Sequence, residues 1–167
     1  MDDAFAHHVW ATLKLIDSCL ALDPVQLETT VPGTYGSIIE TMRHTVGADA
    51  NYLFVLSGGQ TPDIDGDQED HMDLAELRAA MEGHSAAWSA ILADDPDPDT
   101  VLERHRDDGS QTHAPVSIRL AQALHHGTDH RSQICTALTT LGVEPPFIDV
   151  WDFGLLDGRV VEFPPTS

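Results

Sequence analysis

The stretch HHGTDHRSQICTALTTLG, residues 125–142, decides the fold and points to the site. It contains no proline, and His126 and His130 stand four residues apart within it. On a helix, that spacing puts both imidazoles on one face, one turn apart. On either side of this stretch, the apolar periodicity predicts a helix from about Val116 to Leu141, with Gly142 at its C-terminal cap.

The histidine face of this helix is polar for about two turns. With His126 set at zero, His130 lies at about 40°, Gln133 at about −20° and Ala137 at about 20°. A polar stripe on a face that is expected to point inward is unusual for a packed core. We therefore interpret the stripe as the wall of a site, with ordinary core packing resuming at Ala137.

A second helix is predicted from about Ser37 to Leu56, and it carries a third histidine, His44, near its middle. Ser37 and Glu40 form a capping-box pattern at its start. Small and polar side chains would leave space beside the imidazole, as a ligand site requires. The residues that share the face of His44 are Ser37, Glu40, Gly47, Ala48 and Asn51.

The remaining elements complete an all-α fold class, an antiparallel four-helix bundle with a short β-hairpin before the last helix. Two further amphipathic helices are predicted, from about Asp3 to Leu22 and from about Leu74 to Ala93. TVLERHR and SQTHAPV flank Asp108-Gly109, which is a hairpin signal. We expect a single domain spanning residues 1–167, with an irregular tail whose Trp151 and Phe153 pack onto the core.

The composition limits the classes of function. The 167 residues carry a formal net charge of −20, with 28 acidic and 8 basic residues. So acidic a chain is repelled by nucleic acid and by anionic membrane surfaces, so we expect neither as a partner. The N-terminus lacks the pattern of a secretory signal, which favours a cytoplasmic location. The seven arginines form no obvious cluster that would receive an anionic substrate.

The two cysteines are poor candidates for chemistry. Cys19 and Cys135 are far apart and have no CxxC spacing, so they are expected to be buried thiols. Cys135 lies five residues beyond His130, roughly opposite the histidine face.

Three imidazoles from facing helices would form a metal site. Three protein ligands plus an open position are typical of catalytic rather than structural metal sites. His125 is the rival of His126, but it pairs at four residues with Asp129, which is better suited to accept a hydrogen bond from a ligand's free ring nitrogen. Ten histidines make chance pairings common, so the spacing alone leaves open three unrelated histidines.

Two longer segments resemble the DinB/YfiT-like family of metal-dependent enzymes. PGTYGSIIETMRHTVGADANYLFVLSGG resembles the second-helix signature of that family. HHGTDHRSQICTALTTLGVEPPFIDVWDF resembles its HxxxHRxQI…LG…PP…D block. The matching positions are Pro32-Gly33, His44, Ala48-Asp49 and Tyr52-Leu53 in the first segment, and His126, His130, Arg131, Gln133, Ile134, Leu141-Gly142, Pro145-Pro146 and Asp149 in the second.

The resemblance implies a four-helix bundle, often a homodimer, that binds a divalent metal through His44, His126 and His130. Zinc is the expected ion and nickel the alternative, because imidazoles accept both. The family often has a polar residue two positions before a tryptophan in the first helix. His8 precedes Trp10 in that way, so it is either a fourth ligand, a substrate contact or an exposed terminal residue.

Thiol-dependent S-transfer or isomerisation of a small-molecule substrate, with a low-molecular-weight thiol as cosubstrate, is the function that the resemblance implies. One alternative is metal-assisted hydrolysis with Glu40 or Asp129 as the base. The other is a non-catalytic, stress-associated metal-binding protein. Arg131 points about 100° away from His130, so we expect it to support the fold. No catalytic residue is identified, and the expected lining of the pocket is Glu40, Asn51, Asp129 and Gln133.

Overall fold

A computed structural model describes residues 1–106 and 108–163. Over those residues the chain is mostly helical, with seven helices and one two-stranded antiparallel hairpin. The elements in chain order are α1 (Asp2–Cys19), α2 (Pro24–Leu27), α3 (Ile38–Leu56), α4 (Gly66–His71), α5 (Leu74–Ala93), β1 (Val101–His105), β2 (Gln111–Pro115), α6 (Val116–Thr140) and α7 (Val150–Leu156).

Side-chain caps define where several helices begin. At the start of α3, the Ser37 backbone N–H donates to Glu40 Oε2 at 2.8 Å, and Ser37 Oγ accepts from the Glu40 N–H at 3.3 Å. This is the predicted capping box. Asp65 and Asp73 cap α4 and α5 in the same way. Because a cap satisfies N–H groups that have no partner inside the helix, these local patterns set the boundaries well.

The hairpin joins the third long helix to the last one, where the sequence predicted it. β1 and β2 pair antiparallel, and Glu103 stands opposite His113. Arg119, which is buried on α6, anchors the hairpin by donating to the carbonyl oxygens of Leu102 at 2.9 Å and Thr112 at 3.0 Å. The hairpin is thereby held against the start of α6.

The core lies between the four long helices. α3 packs against α5 and α6, and α1 packs against the same two helices. Phe5 of α1 and Trp88 of α5 are both buried, and their ring centroids are 4.3 Å apart. Met42 and Leu138 are fully buried on α3 and α6. The histidine-bearing helices α3 and α6 are therefore direct neighbours.

Two features of the tail and of the first helix differ from expectation. α1 ends at Cys19 rather than Leu22, because Asp23 caps a separate helix, α2, and the chain must leave α1 to reach it. The tail is not irregular throughout, since it contains α7. The predicted burial of Trp151 is wrong, since 63% of it is exposed. Phe153 does pack, with its ring 5.4 Å from that of Trp10. Residues 164–167 of the predicted tail lie outside the described residues.

No helix in the described part of the chain combines the length and the apolar character needed to span a bilayer.

Candidate metal centre

The three histidines named from the sequence converge between α3 and α6. One ring nitrogen from each of His44, His126 and His130 lies within 4.8 Å of the other two. His126 Nε2 and His44 Nε2 are 3.1 Å apart. Two nitrogen ligands of one tetrahedral zinc ion, each at about 2.05 Å, are about 3.3 Å apart. The cluster could therefore hold a metal ion.

The electrostatics of the cluster favour neutral imidazoles. Burial, followed by the neighbouring His130 and His44, lowers the pKa of His126 to about 4. Burial also lowers the pKa of His130. Both rings are neutral near pH 7, so their lone pairs are available to a metal, which binds only unprotonated imidazole.

Hydrogen-bond acceptors behind the rings determine which nitrogens face the centre. His130 Nδ1 donates to Gln133 Oε1 at 3.2 Å, and the Tyr35 N–H donates to the same oxygen at 2.8 Å. With its proton on Nδ1, His130 presents Nε2 to the cluster. Behind His44, the nearest carboxylate oxygen is Glu69 Oε1, 3.6 Å from Nδ1.

Two tyrosines flank the cluster. The Tyr35 ring stacks on His44 with a centroid distance of 4.1 Å and an interplanar angle of 5°. It also meets His130 edge-on at 5.4 Å. The Tyr52 ring lies 6.0 Å from that of His126 on another side. These aromatic contacts restrict rotation of the imidazoles.

A cavity of about 590 Å³ opens beside His44. Its wall is formed by α3, the loop before α4, α4 itself, β1 and Arg106. Arg104 and Arg106 lie on this wall together with Asp63 and Glu69. Folding thus brings two arginines to the wall of the cavity, although the sequence showed no obvious arginine cluster, and Arg104 donates to Asp63 at 2.5 Å. The cavity provides space for a small molecule next to His44.

The other pocket residues expected from the sequence have varied locations. Glu40 is exposed, and the hydrogen bonds that it accepts from Ser37 lower its pKa, so it acts as a helix cap. Asn51 lines the cavity beside Asp63. Asp129 is exposed on α6, as is His125. Gln133 is the one of the four that contacts a cluster histidine.

His8 lies in the interior rather than at an exposed terminus. Its Nε2 donates to Asp49 Oδ1 at 2.9 Å, and its Nδ1 accepts from Arg131 Nη1 at 3.0 Å. Because a guanidinium can only donate, these contacts put the proton of His8 on Nε2. Both ring nitrogens are thus engaged, and His8 is not one of the three histidines of the cluster. Arg131 supports the fold, as expected.

Asp49 is the acceptor that joins three helices. It is buried, and it also accepts from His84 Nδ1 at 2.8 Å and Trp88 Nε1 at 3.1 Å. Burial by itself raises the pKa of this carboxyl, but the interactions with His8 and then His84 hold it well below its usual range. Asp49 is therefore a buried anion with three donors.

The cysteines are unsuited to act as nucleophiles, as the sequence indicated. Burial raises the pKa of the Cys19 thiol to about 12, and it also raises that of Cys135. Cys135 lines a different cavity, next to Arg131 and Ser132.

The family model that matches the chain is that of the DinB family, over residues 1–156. The chain belongs to the DinB family. A search of curated proteins finds no match. In this DinB-family chain, all three clustered histidines fall inside the matched range, and so do the cavity beside them and both tyrosines.

Sequence reasoning missed the contributions of Tyr35, Glu69 and Arg104. Each is in a loop, a short helix or a strand rather than on a long helix, so helical periodicity carried no signal for it. Gly47 did carry a sequence signal, because a small residue on the face of His44 indicated space that another side chain could fill.

Proposed function

We propose that this DinB-family protein is a divalent-metal-dependent enzyme acting on a small molecule, and that it is a thiol-dependent S-transferase or isomerase. The observation that carries the proposal is the convergence of three imidazoles, one of which, His44, lines an open cavity of about 590 Å³. Three protein ligands with room for a further ligand are typical of catalytic metal sites.

The residues of the chain have distinct tasks in this proposal. His44, His126 and His130 hold the ion, with zinc as the expected metal and nickel as the alternative. A divalent metal lowers the pKa of a bound thiol or water and so supplies a nucleophile at neutral pH. Tyr35 and Tyr52 flank the histidines, and Arg104, which donates to Asp63 at 2.5 Å, would have to exchange this partner to bind an anionic group of the substrate or thiol.

Thiol transfer is favoured over hydrolysis by the position of Glu40. Its carboxylate is engaged in the cap of α3, at 2.8 Å from the Ser37 nitrogen, so it is not available as a base for water. Asp129, the other base considered, is exposed on α6. A non-catalytic metal-binding role would use the same histidines, and it differs from the proposal only in lacking turnover.

The assembly and the fold type are also part of the proposal. We propose that α1, α3, α5 and α6 form an antiparallel four-helix bundle, and that two copies associate as a homodimer. Exposed apolar side chains on α7, among them Val150, Trp151 and Leu156, offer a surface for the second copy. Light scattering of the purified protein measures its mass and tests the proposed homodimer directly.

Replacing His126 with alanine tests the metal site, and His125→Ala is its matched control. We expect about one zinc ion per wild-type chain and per His125→Ala chain after incubation and desalting. His126→Ala should retain little, because two imidazoles rarely hold a divalent ion through desalting. Elemental analysis gives the counts. Equal metal in both variants, or none in the wild type, would contradict the proposal. Thiol-transfer assays with the loaded protein then test for turnover.

A further inference from the structure

Glu69 has an unusual environment for a residue of a short loop helix. Its side chain is 23% exposed, and its Oε1 lies 3.6 Å from His44 Nδ1, which is within ion-pair distance and slightly longer than a hydrogen bond. It also lines the cavity that opens beside His44. Neither its charge nor its position is needed to cap α4, because Asp65 and Gln68 provide that cap.

The contact is made by the ring nitrogen of His44 that does not face His126. His44 Nε2 points toward His126, at 3.1 Å from its Nε2, whereas Nδ1 faces Glu69. A carboxylate at Nδ1 favours the tautomer with the proton on that nitrogen. The lone pair is then on Nε2, where the cluster needs it.

Gly47 makes this approach sterically feasible. A Cβ atom built at Gly47 would lie 2.4 Å from Glu69 Oε2 and 2.8 Å from its Cδ. Any side chain at this position of α3 would therefore have to displace the carboxylate from His44. The glycine is three residues after His44, one turn along the same face, so the contact and the space for it come from one helix.

His130 also has a side-chain oxygen behind its ring, so the contact of Glu69 with His44 is not isolated in the cluster. Its Nδ1 donates to Gln133 Oε1, as described above. Two of the three clustered histidines thus have an oxygen acceptor behind the ring. The two acceptors have different origins, since Gln133 comes from the same helix as His130, while Glu69 comes from a separate short helix packed on α3.

We infer that Glu69 is a positioning residue for the metal site, which orients His44 and holds its proton on Nδ1, and that Gly47 is present to admit it. The inference rests on the proposed metal site. Carboxylates behind metal-bound histidines typically contribute about 10–100-fold in metal affinity. Glu69 contributes in this range without touching the ion.

Zinc affinity, measured by competition with a chromophoric chelator at pH 7, tests the inference with three variants and one control. Glu69→Ala should bind zinc about 10–100-fold more weakly than the wild type. Glu69→Gln should keep more of the affinity, because its amide oxygen places a partial negative charge near Nδ1. Gly47→Ala should lose about as much zinc affinity as Glu69→Ala, although this variant retains Glu69. Asp70→Ala, the neighbouring exposed position on α4, should match the wild type.

Two further readouts separate positioning from a general loss of structure. The absorption spectrum of the Co²⁺-loaded protein should change in Glu69→Ala and Gly47→Ala and be kept in Asp70→Ala, since it reports the coordination geometry. Thermal unfolding with a chelator present should be similar for Glu69→Ala and Asp70→Ala.

The outcomes also distinguish this inference from the proposed function. Unchanged zinc affinity in Glu69→Ala, with a wild type that binds zinc, would overturn the role of Glu69 and leave the metal site standing. Equal losses in Glu69→Gln and Glu69→Ala would overturn its role as an acceptor. A wild type without zinc affinity would overturn both proposals.

Discussion

Single side chains decide the chemistry of this DinB-family chain, and their partners come from distant parts of it. His44 and His126 are 82 residues apart along the chain, yet their Nε2 atoms are 3.1 Å apart. The buried carboxylate of Asp49 is likewise reached by His8 and His84 from two other helices. The contact between His44 and His126 forms the site, and the contacts of Asp49 join the helices that carry it.

Asp49 should make the stability of the protein depend on pH in acid. Its folded-state pKa is held below the ordinary aspartate value of 3.8, so its contribution to stability is complete well above that pH and is lost as the pH falls through and below it. Asp49→Asn should therefore cost about 1.5–3 kcal/mol at pH 7, the range for hydrogen bonds to a charged group. The difference in the free energy of unfolding between Asp49→Asn and the wild type should shrink between about pH 5 and pH 3.

Urea unfolding at several pH values measures this difference. Asp129→Asn, which changes an exposed carboxyl, is the control and should follow the wild type across the series. A gap between wild type and Asp49→Asn that stays constant down to about pH 3 would show that the ionised carboxylate is not what stabilises the fold.

At the level of the helices, the distance between neighbouring helices depends on small residues at their contacts. Gly127 of α6 faces α1, and a Cβ atom built there would lie 2.3 Å from His8 Cε1 and 2.9 Å from Arg131 Nη1. The helical pattern at this position does not require glycine. The close approach of the buried His8 imidazole requires glycine at this position, so Gly127 is a packing residue.

Gly127→Ala should destabilise the protein by about 1–3 kcal/mol, because the methyl group overpacks the contact between α1 and α6. Gly83→Ala on α5 is the matched control, since nothing lies within 4 Å of its built Cβ. That substitution should stabilise the chain by about 0.5–1 kcal/mol through helix propensity. Chemical denaturation of both variants measures the changes, and a loss in Gly83→Ala or a gain in Gly127→Ala would refute the packing argument.

At the level of the entire chain, the dominant physical property is its negative charge. A formal net charge of −20 produces self-repulsion that opposes the compact state. Salt screens such repulsion over about 10 Å at 0.1 M and about 3 Å at 1 M. Stability should therefore depend on ionic strength more than it does for a neutral domain of similar size.

Raising NaCl from about 0.05 M to about 1 M should increase Tm. A gain of about 1–2 kcal/mol corresponds to about 2–8 °C for a chain of this length. The same increase in salt at about pH 5 should have a smaller effect, because protonation of histidines, whose ordinary pKa is about 6.5, and of some carboxyls reduces the net negative charge. Calorimetry at both pH values measures the shifts, and a Tm that falls with salt at pH 7 would contradict the argument.

The long helices and part of the site could be predicted from the sequence because they depend on local interactions. The bounds of α5, Leu74–Ala93, match the prediction, and those of α3 and α6 differ from it by one residue at one end. Caps and apolar periodicity act over a few residues, so they are visible without a structure. The shared face of His126 and His130 follows from the same geometry.

Only the tertiary structure decided what surrounds those histidines. The positions of Tyr35 against His44, Glu69 against Gly47, and His8 between Asp49 and Arg131 all depend on how separate elements pack. The same holds for α7, which the tail did not reveal, and for Arg104 beside the cavity. Such contacts join residues far apart in the chain, and their energy comes from burial and complementary groups that exist only once the helices are packed together.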